Sequence, residues 1–511
     1  MKGIVVFINL LPAPESTYEN KGCMYPSTSI LLISSYLTNN GYNVRIIDGA
    51  YQEDYKERLQ AYLHEMKGQI IFIGLSVMVT QIPLALEVSK IVKGINADIP
   101  VVWGGPHPTL YPEETLRDDH VDIVVINEGT YTALNIARAL CTGSNLGDIR
   151  GIGYKDDEKM IHFTSLSELE DINELPFFNY SLIEAENYLT PQTTSVYKRE
   201  FPEYKGELRI MPILTGLGCP YKCQFCINVI LKRKYRHRSA RSIADEIKRL
   251  QSQYAANTFL FLDEDFFINK KRIHELVSIC EEEKLHFNLR TWCRVDHFKK
   301  SYLNVGLLRR LSNIGHVSLA MGGESASPEV LIDLKKGITP EQIINSLKVI
   351  TESDKKIFPR YSFMVGLENE SMDQIRNTYR FCMKMKEINP SVDIAGPFIF
   401  RLYPGSPIFE RLVRNYHIKI PESLESWANY INNAGSAEEM PWTPEDFQKK
   451  KDIISFYAGY ALSFYDRRSR WSFKHMVKIT IILVSRFRIK HFIFSFPFEY
   501  WLLMIIRKSL R

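Results

Sequence analysis

At 511 residues, with 45% hydrophobic and 24% charged side chains, the chain has the size for two or three folded domains and the composition of neither a disordered nor a fibrous protein. Eight cysteines are too few for a disulfide framework, and three of them crowd into positions 219–226, so a reducing cytoplasm is the expected setting. The net charge of +5 is unevenly spread: positions 467–511 hold eleven Lys and Arg against one acid, Glu499, which leaves the remainder mildly acidic.

Met1-Lys2-Gly3 leads straight into an apolar run that ends at Pro12, so no secretory signal is expected. No stretch reaches the 18 or so uncharged apolar residues of a spanning helix. Strand-like and helix-like patterns then alternate. Gly3–Leu11, Asn43–Asp48, Gln69–Ser76, Val101–Gly104 and Val121–Asn127 are predicted strands; Ser27–Asn39, Pro83–Ile95 and Thr132–Leu140 are predicted helices. That rhythm predicts an α/β domain with a doubly wound, Rossmann-like parallel sheet over residues 1–140, binding its ligand at the carboxyl ends of the strands. Ser76, Val77 and Thr80 follow the third strand, Gly104 and Gly105 the fourth, and Glu128 and Gly129 the fifth. Glycines there admit a close ligand and hydroxyls supply hydrogen bonds, although Gly104-Gly105-Pro106 reads equally well as a plain turn.

The segments "SVMVTQIPLALEVSKIVK", "IPVVWGGPHPTLYPEETL" and "VDIVVINEG" resemble the cobalamin-binding domain that precedes the radical core in class B radical S-adenosylmethionine (SAM) methylases. The resemblance implies that Ser76, Val77, Thr80, Gly104, Gly105, Glu128 and Gly129 face cobalamin. The Asp-x-His-x-x-Gly motif of many cobalamin proteins is absent: the loop from Leu10 to Gly22 holds no histidine, so no histidine of that loop ligates the lower face. His107, between two prolines, reads as structural. Residues 141–205 are polar and irregular and are expected to be a linker, with Leu175-Pro176-Phe177-Phe178 packing onto a domain.

The predicted strand Met211–Thr215 runs into Gly216-Leu217-Gly218-Cys219-Pro220-Tyr221-Lys222-Cys223-Gln224-Phe225-Cys226. Three thiolates spaced Cys-x3-Cys-x2-Cys on one loop suit three irons of a 4Fe–4S cube and leave the fourth iron open. Structural zinc wants four ligands in two pairs, and the nearest further candidate, His237, is eleven residues on in a basic run. This spacing is the signature of the radical SAM superfamily. Membership implies that SAM chelates the open iron, that one electron cleaves it to methionine and a 5′-deoxyadenosyl radical, and that Phe225 packs near the adenine.

Downstream strands are predicted at Thr258–Leu262, His286–Leu289, Val317–Met321, Pro359–Val365 and Ile394–Phe400, giving a partial (β/α)6 barrel over residues 206–415. Charged and small residues gather past each strand end, where barrels build active sites, although acids there also cap helices. By resemblance, Asp263 and Glu264 meet the SAM amino group and Arg294 its carboxylate. Glu324 of Gly322-Gly323-Glu324, after the fourth strand by count, lies by the ribose and carboxylate, and Gly366-Leu367 supplies the adenine-side backbone.

Residues 416–511 are expected to be a helical, basic and aromatic region, whose tail beyond Tyr465 serves either as a cap over the barrel mouth, which is favoured, or as a stretch facing a membrane surface or an anionic substrate. No nucleic-acid recognition module is visible. The resemblance as a whole implies a cobalamin-dependent radical SAM enzyme that methylates an unactivated carbon of a small-molecule or lipid substrate, with an electron donor such as flavodoxin or ferredoxin. An oxidative cyclase or rearrangement enzyme and a non-catalytic Fe–S redox or sensor protein are the alternatives.

Overall fold

The computed structural model describes residues 3–10, 25–434, 440–463 and 473–509. Most of the loop after the first strand, on which the missing histidine motif was read, lies outside the described residues, as does the start of the basic tail.

The N-terminal sheet is built on five parallel strands: β1 (Ile4–Asn9), β2 (Asn43–Asp48), β3 (Ile70–Ser76), β4 (Val101–Gly104) and β5 (Ile123–Val125), in the order β2-β1-β3-β4-β5. Side chains alternate across the pleat, and both faces are apolar. Val5 and Phe7 join Ile30, Leu31 and Leu134 from helices Thr28–Asn39 and Thr130–Thr142. Val6 and Ile8 join Leu59, Leu63 and Ile82 from helices Tyr55–Glu65 and Ile82–Ile95 on the other side. The doubly wound expectation is met.

The sheet does not stop at residue 140. β6 (Ile152–Lys155) and β7 (Ile161–Phe163) add antiparallel to its β5 edge, so the segment expected to be irregular supplies a hairpin. The rest of that segment grips both halves. Tyr188 hydroxyl bonds Asp48 at the end of β2, Ser35 hydroxyl accepts from Asn179 N at 2.8 Å, and Tyr180 hydroxyl bonds the Pro212 carbonyl. Leu175 and Phe178 are buried, and Phe177 lies under the Arg238 guanidinium.

The second sheet holds β8 (Ile210–Ile213), β11 (Thr258–Phe261), β12 (Asn288–Cys293), β13 (Val317–Glu324), β14 (Ile357–Val365) and β15 (Asp393–Ile399), all parallel and in chain order, with helices between them. β9 (Gly216–Leu217) and β10 (Arg236–His237) form a small antiparallel clasp at the first strand's carboxyl end. β8 and β15 are the two unpaired edges, so this is an open six-stranded barrel.

Glu200 closes its floor. Its carboxylate, 2% exposed, accepts from Arg290 (2.8 Å) on β12, Ser318 (2.8 Å) on β13 and Arg360 (2.5 Å) on β14, and Arg360 also pairs with Asp393 on β15 at 3.2 Å. These contacts identify the inward face of four strands. Two residues further up, Trp292, Ala320, Ser362 and Ala395 share that face by alternation. Trp292 is 42% exposed and is paired in register with the small Ala320.

The described part of the basic tail packs on the barrel's flank, and residues ahead of it lie over a strand end. Met440, Trp442 and Phe447, which precede it or open helix Glu445–Ala461, cover the end of β14 at Gly366. Helices Phe473–His491 and Phe498–Ser509 come later; Ile489 packs with Ile375, Tyr379 and Tyr457 on the flank. Helix Leu424–Ala434 returns to the N-terminal domain, where Trp427 is fully buried.

Glu200→Ala would leave Arg290 and Arg360 without their shared partner in the barrel floor. We expect a loss of about 3 kcal/mol in denaturant unfolding, with Tm lowered; a change within experimental error would show that the floor network contributes nothing to stability.

Candidate active site

The cysteine loop is shaped by two glycines and a clasp. Gly218 has φ +75°, and a side chain there would collide with the Lys234 carbonyl; one on Gly216 would collide with Asp263. The Leu217–Arg236 pairing of β9 with β10 fixes the loop's entry. Gln224 N donates to the Leu334 carbonyl (2.9 Å) and its carbonyl accepts from Ile408 N (3.0 Å), so the loop is strung between two other segments.

Cys219, Cys223 and Cys226 are all free thiols, Cys223 buried and the others half-buried. Burial pushes Cys219 up to about 11, with Asp265 and the other two thiols adding to the effect, and it raises Cys226 as well. Neutral thiols are therefore favoured until a cation shares the loop. Among the described residues, no three His, Cys, Asp or Glu side chains gather tightly enough to hold a single metal ion. A four-iron cube takes its cysteines on separate irons, so its ligands need not meet at a point. Cys223 and Cys226 lie close enough to Cys219 to raise its thiol pKa, and three thiols so grouped fit that cube.

Around the loop, several of the expected SAM contacts are engaged by protein. Asp263 is 1% exposed and accepts from Arg272 at 3.0 Å and from Thr215, so both its oxygens are taken. Arg272 also donates to the carbonyls of Thr215 and Phe266, each at 2.8 Å. Arg294 is equally committed: it pairs with Asp296 (2.9 Å), donates to the Lys336 carbonyl (2.6 Å) and stacks 3.6 Å above the Tyr221 ring. Both residues brace the loop.

Glu264 differs. Its side chain is exposed to solvent yet hemmed in by protein, as in a deep cleft, and this burial raises its pKa; Asn228 donates to it at 3.2 Å. Glu324 lies on the fourth barrel strand, as the strand count requires, with φ +62°, a backbone state that non-glycine residues seldom hold without reason. Its carboxylate pairs with Lys336 at 2.8 Å, and the Lys336 ammonium sits 5.5 Å from the Phe225 ring centre. The sequence reading missed Lys336, Arg272 and Tyr221.

At the end of β14, Gly366 has φ +80°, and Leu367 is buried. Their backbone N–H groups donate to Glu370 at 2.7 and 3.1 Å, while the Gly366 carbonyl accepts from the Trp442 indole at 2.9 Å. The expected adenine-side segment is therefore held by Glu370, part of the same sequence motif, and by Trp442, which sequence reasoning had not placed there.

In the N-terminal domain, the ends of β3 and β4 do meet. Val77 N donates to the Gly104 carbonyl (2.8 Å), and a Cβ on Gly105 (φ +97°) would lie 2.8 Å from Val77 N and 3.1 Å from Ser76 Oγ. Ser29 donates to Ser76 at 3.2 Å; Thr80 is half-buried just beyond, and Gly129 precedes the helix after β5. Small residues and hydroxyls here suit the amide-rich edge of a corrinoid. Glu128 is committed elsewhere: Arg236 of β10 pairs with both its oxygens, and Glu170 N donates to it at 2.8 Å. The end of β5 is thereby tied to the clasp beside Cys219. His107 is 2% exposed, packed against Tyr111 and Trp427 with neither ring nitrogen bonded, and burial lowers its pKa to about 3. It is enclosed in the core.

Two expectations follow. In a double-mutant cycle of Glu128→Gln and Arg236→Gln, unfolding should give a coupling of about 2 kcal/mol, and additive single effects would dissolve the proposed tie. Burial raises the Glu370 carboxyl to about 7, above an unfolded value of 4.5. Between those values the folded chain holds the extra proton, so this group's contribution to stability falls as pH rises. Glu370→Gln should therefore gain on the wild type by up to about 3 kcal/mol from about pH 5 to 8; parallel stability curves would contradict this.

Comparison with known proteins agrees with this geometry. Residues 213–382 match the radical SAM superfamily and residues 22–137 the B12 binding domain. An uncharacterized methyltransferase of Pyrococcus horikoshii is 26% identical over 462 residues, covering 89% of this chain and 93% of that one. An anaerobic magnesium-protoporphyrin IX monomethyl ester cyclase of Rubrivivax gelatinosus is 27% identical over 398 residues, covering 76% of this chain and 66% of that one. Among solved structures, the cobalamin-dependent SAM radical enzyme OxsB superposes with TM-score 0.67 at 17% identity, over 96% of this chain and 72% of that one. The radical SAM methyltransferase TsrM of Kitasatospora setae gives 0.61 at 17% identity, over 81% and 75%. A B12-binding sheet followed by a Cys-x3-Cys-x2-Cys barrel places this chain in the radical SAM superfamily, within its cobalamin-binding group.

Proposed function

We propose that the protein is a cobalamin-dependent radical SAM C-methyltransferase acting on an unactivated carbon of a small-molecule or lipid substrate. The observation that carries this is the Arg236–Glu128 tie, which joins the cysteine loop to the ligand-binding edge of the B12-type sheet. When bound, the cluster with SAM supplies a carbon radical and cobalamin supplies the methyl group.

The chain's own residues position and exclude. Cys219, Cys223 and Cys226 would hold three irons. Glu264, open to the cleft, is the acid available to the SAM amino group, and Asp263 and Arg294 act on SAM only through the loop they brace. Glu324, Lys336 and Phe225 form one wall, and Gly366-Leu367, under Met440 and Trp442, another. In the lumen, Trp292 beside Ala320 offers a flat ring face on which a planar substrate could stack. A flavodoxin or ferredoxin as electron donor and a cytoplasmic setting complete the reading. The likeness to the Rubrivivax cyclase supports cyclisation as the second reading.

After anaerobic reconstitution with iron, sulfide and hydroxocobalamin, the protein should release both 5′-deoxyadenosine and S-adenosylhomocysteine under reductant. Deoxyadenosine alone would exclude methyl transfer and favour cyclisation. Replacing Cys219, Cys223 and Cys226 by alanine should abolish the cluster absorbance together with SAM cleavage; zinc in the anaerobically purified protein would overturn the assignment.

A further inference from the structure

We propose that the outer face of the C-terminal helices is a docking surface for an anionic phospholipid bilayer. Helix Phe473–His491 has two faces. Ile482, Ser485 and Ile489, spaced by three and four residues, are buried against the protein. Met476, Leu483 and Phe487 lie on the opposite stripe and are 47%, 59% and 59% exposed. The next turn and helix continue in kind, with Phe496, Phe498 and Trp501 at 74%, 61% and 46% exposed. Single exposed apolar residues are ordinary; a run of large ones on consecutive elements marks a surface that is covered in use.

The turn is held firmly in that shape. Arg488 donates to the carbonyls of Ile493 (3.2 Å) and Phe496 (2.7 Å) and pairs with Glu499 at 2.8 Å, while Tyr457 donates to Glu499 at 2.8 Å. The tail's one acid is thus neutralised internally and does not oppose an anionic partner.

Charge selects the occupant. Eleven Lys and Arg against one acid over positions 467–511, with Lys478 and Lys490 exposed on the apolar helix itself, match a negatively charged surface. A second copy of the chain would set those like charges against each other. Phe and Trp with Lys and Arg is the composition of helices that lie in the headgroup region, and no described helix is long and apolar enough to cross a membrane. The proposal is independent of the chemistry assigned to the barrel.

The test is cosedimentation of the full-length reconstituted protein with vesicles of phosphatidylcholine alone or with phosphatidylglycerol added. Binding should require phosphatidylglycerol and weaken as salt is raised. The exposed pair Phe496→Glu with Phe498→Glu should reduce it at least about tenfold, and Lys490→Glu about fivefold, with Tm unchanged in both. Equal binding to neutral and anionic vesicles, or none to either, would overturn the proposal. So would a dimer that the Phe496→Glu, Phe498→Glu variant disperses while vesicles remain unbound.

Discussion

Arg272 sits on the first turn of helix Lys270–Glu282, 2% exposed, and reaches three segments at once: the Asp263 carboxylate past β11, the Thr215 carbonyl past β8 and the Phe266 carbonyl beyond. A buried guanidinium needs partners for its donors, and here both terminal nitrogens find them at the strand ends from which the cysteine loop departs, while Nε has none. Everything ahead of it depends on that fixed base. Gly216 can pass only because nothing but hydrogen occupies its side toward Asp263, and the clasp of β9 with β10 then delivers Cys219 and, through Arg236, the edge of the N-terminal sheet.

The loop is thus held by charged groups whose charge is met by protein partners. Arg294 stacks on Tyr221 within the Cys-x3-Cys stretch, Arg272 and Asp263 neutralise each other beneath it, and Lys336 meets Glu324 beside Phe225. Low dielectric makes each pair sensitive to the loss of one partner, which favours a single loop geometry over several. For a site that must keep three sulfurs and an aromatic ring in register, rigidity of this kind is the relevant property.

The architecture was legible because both sheets are built from buried, near-continuous apolar strands, whose runs stand out between glycine- and charge-rich ends. β6 and β7 were not, since each is only three or four residues long, and β6 pairs with β5, far back in the chain, while β7 pairs only with β6. The cysteines were legible because their spacing is local. Which charges face a ligand was not: Asp263, Arg294 and Glu128 each carry the right chemistry, but their partners lie 9, 2 and 108 residues away, and only the fold shows which carboxylate or guanidinium is already satisfied. The place of the tail was not legible for a related reason, as aromatic residues suit a flank as well as a mouth.

Glu200 has one more implication. Because the segment before the barrel seals the end opposite the cysteines, and Tyr197 and Phe201 pack with Leu260 alongside it, the lumen is a blind well with a single rim and one lateral seam between β8 and β15. A reactant therefore has two ways to reach the well, over the rim beside the cysteines or edge-on along the seam.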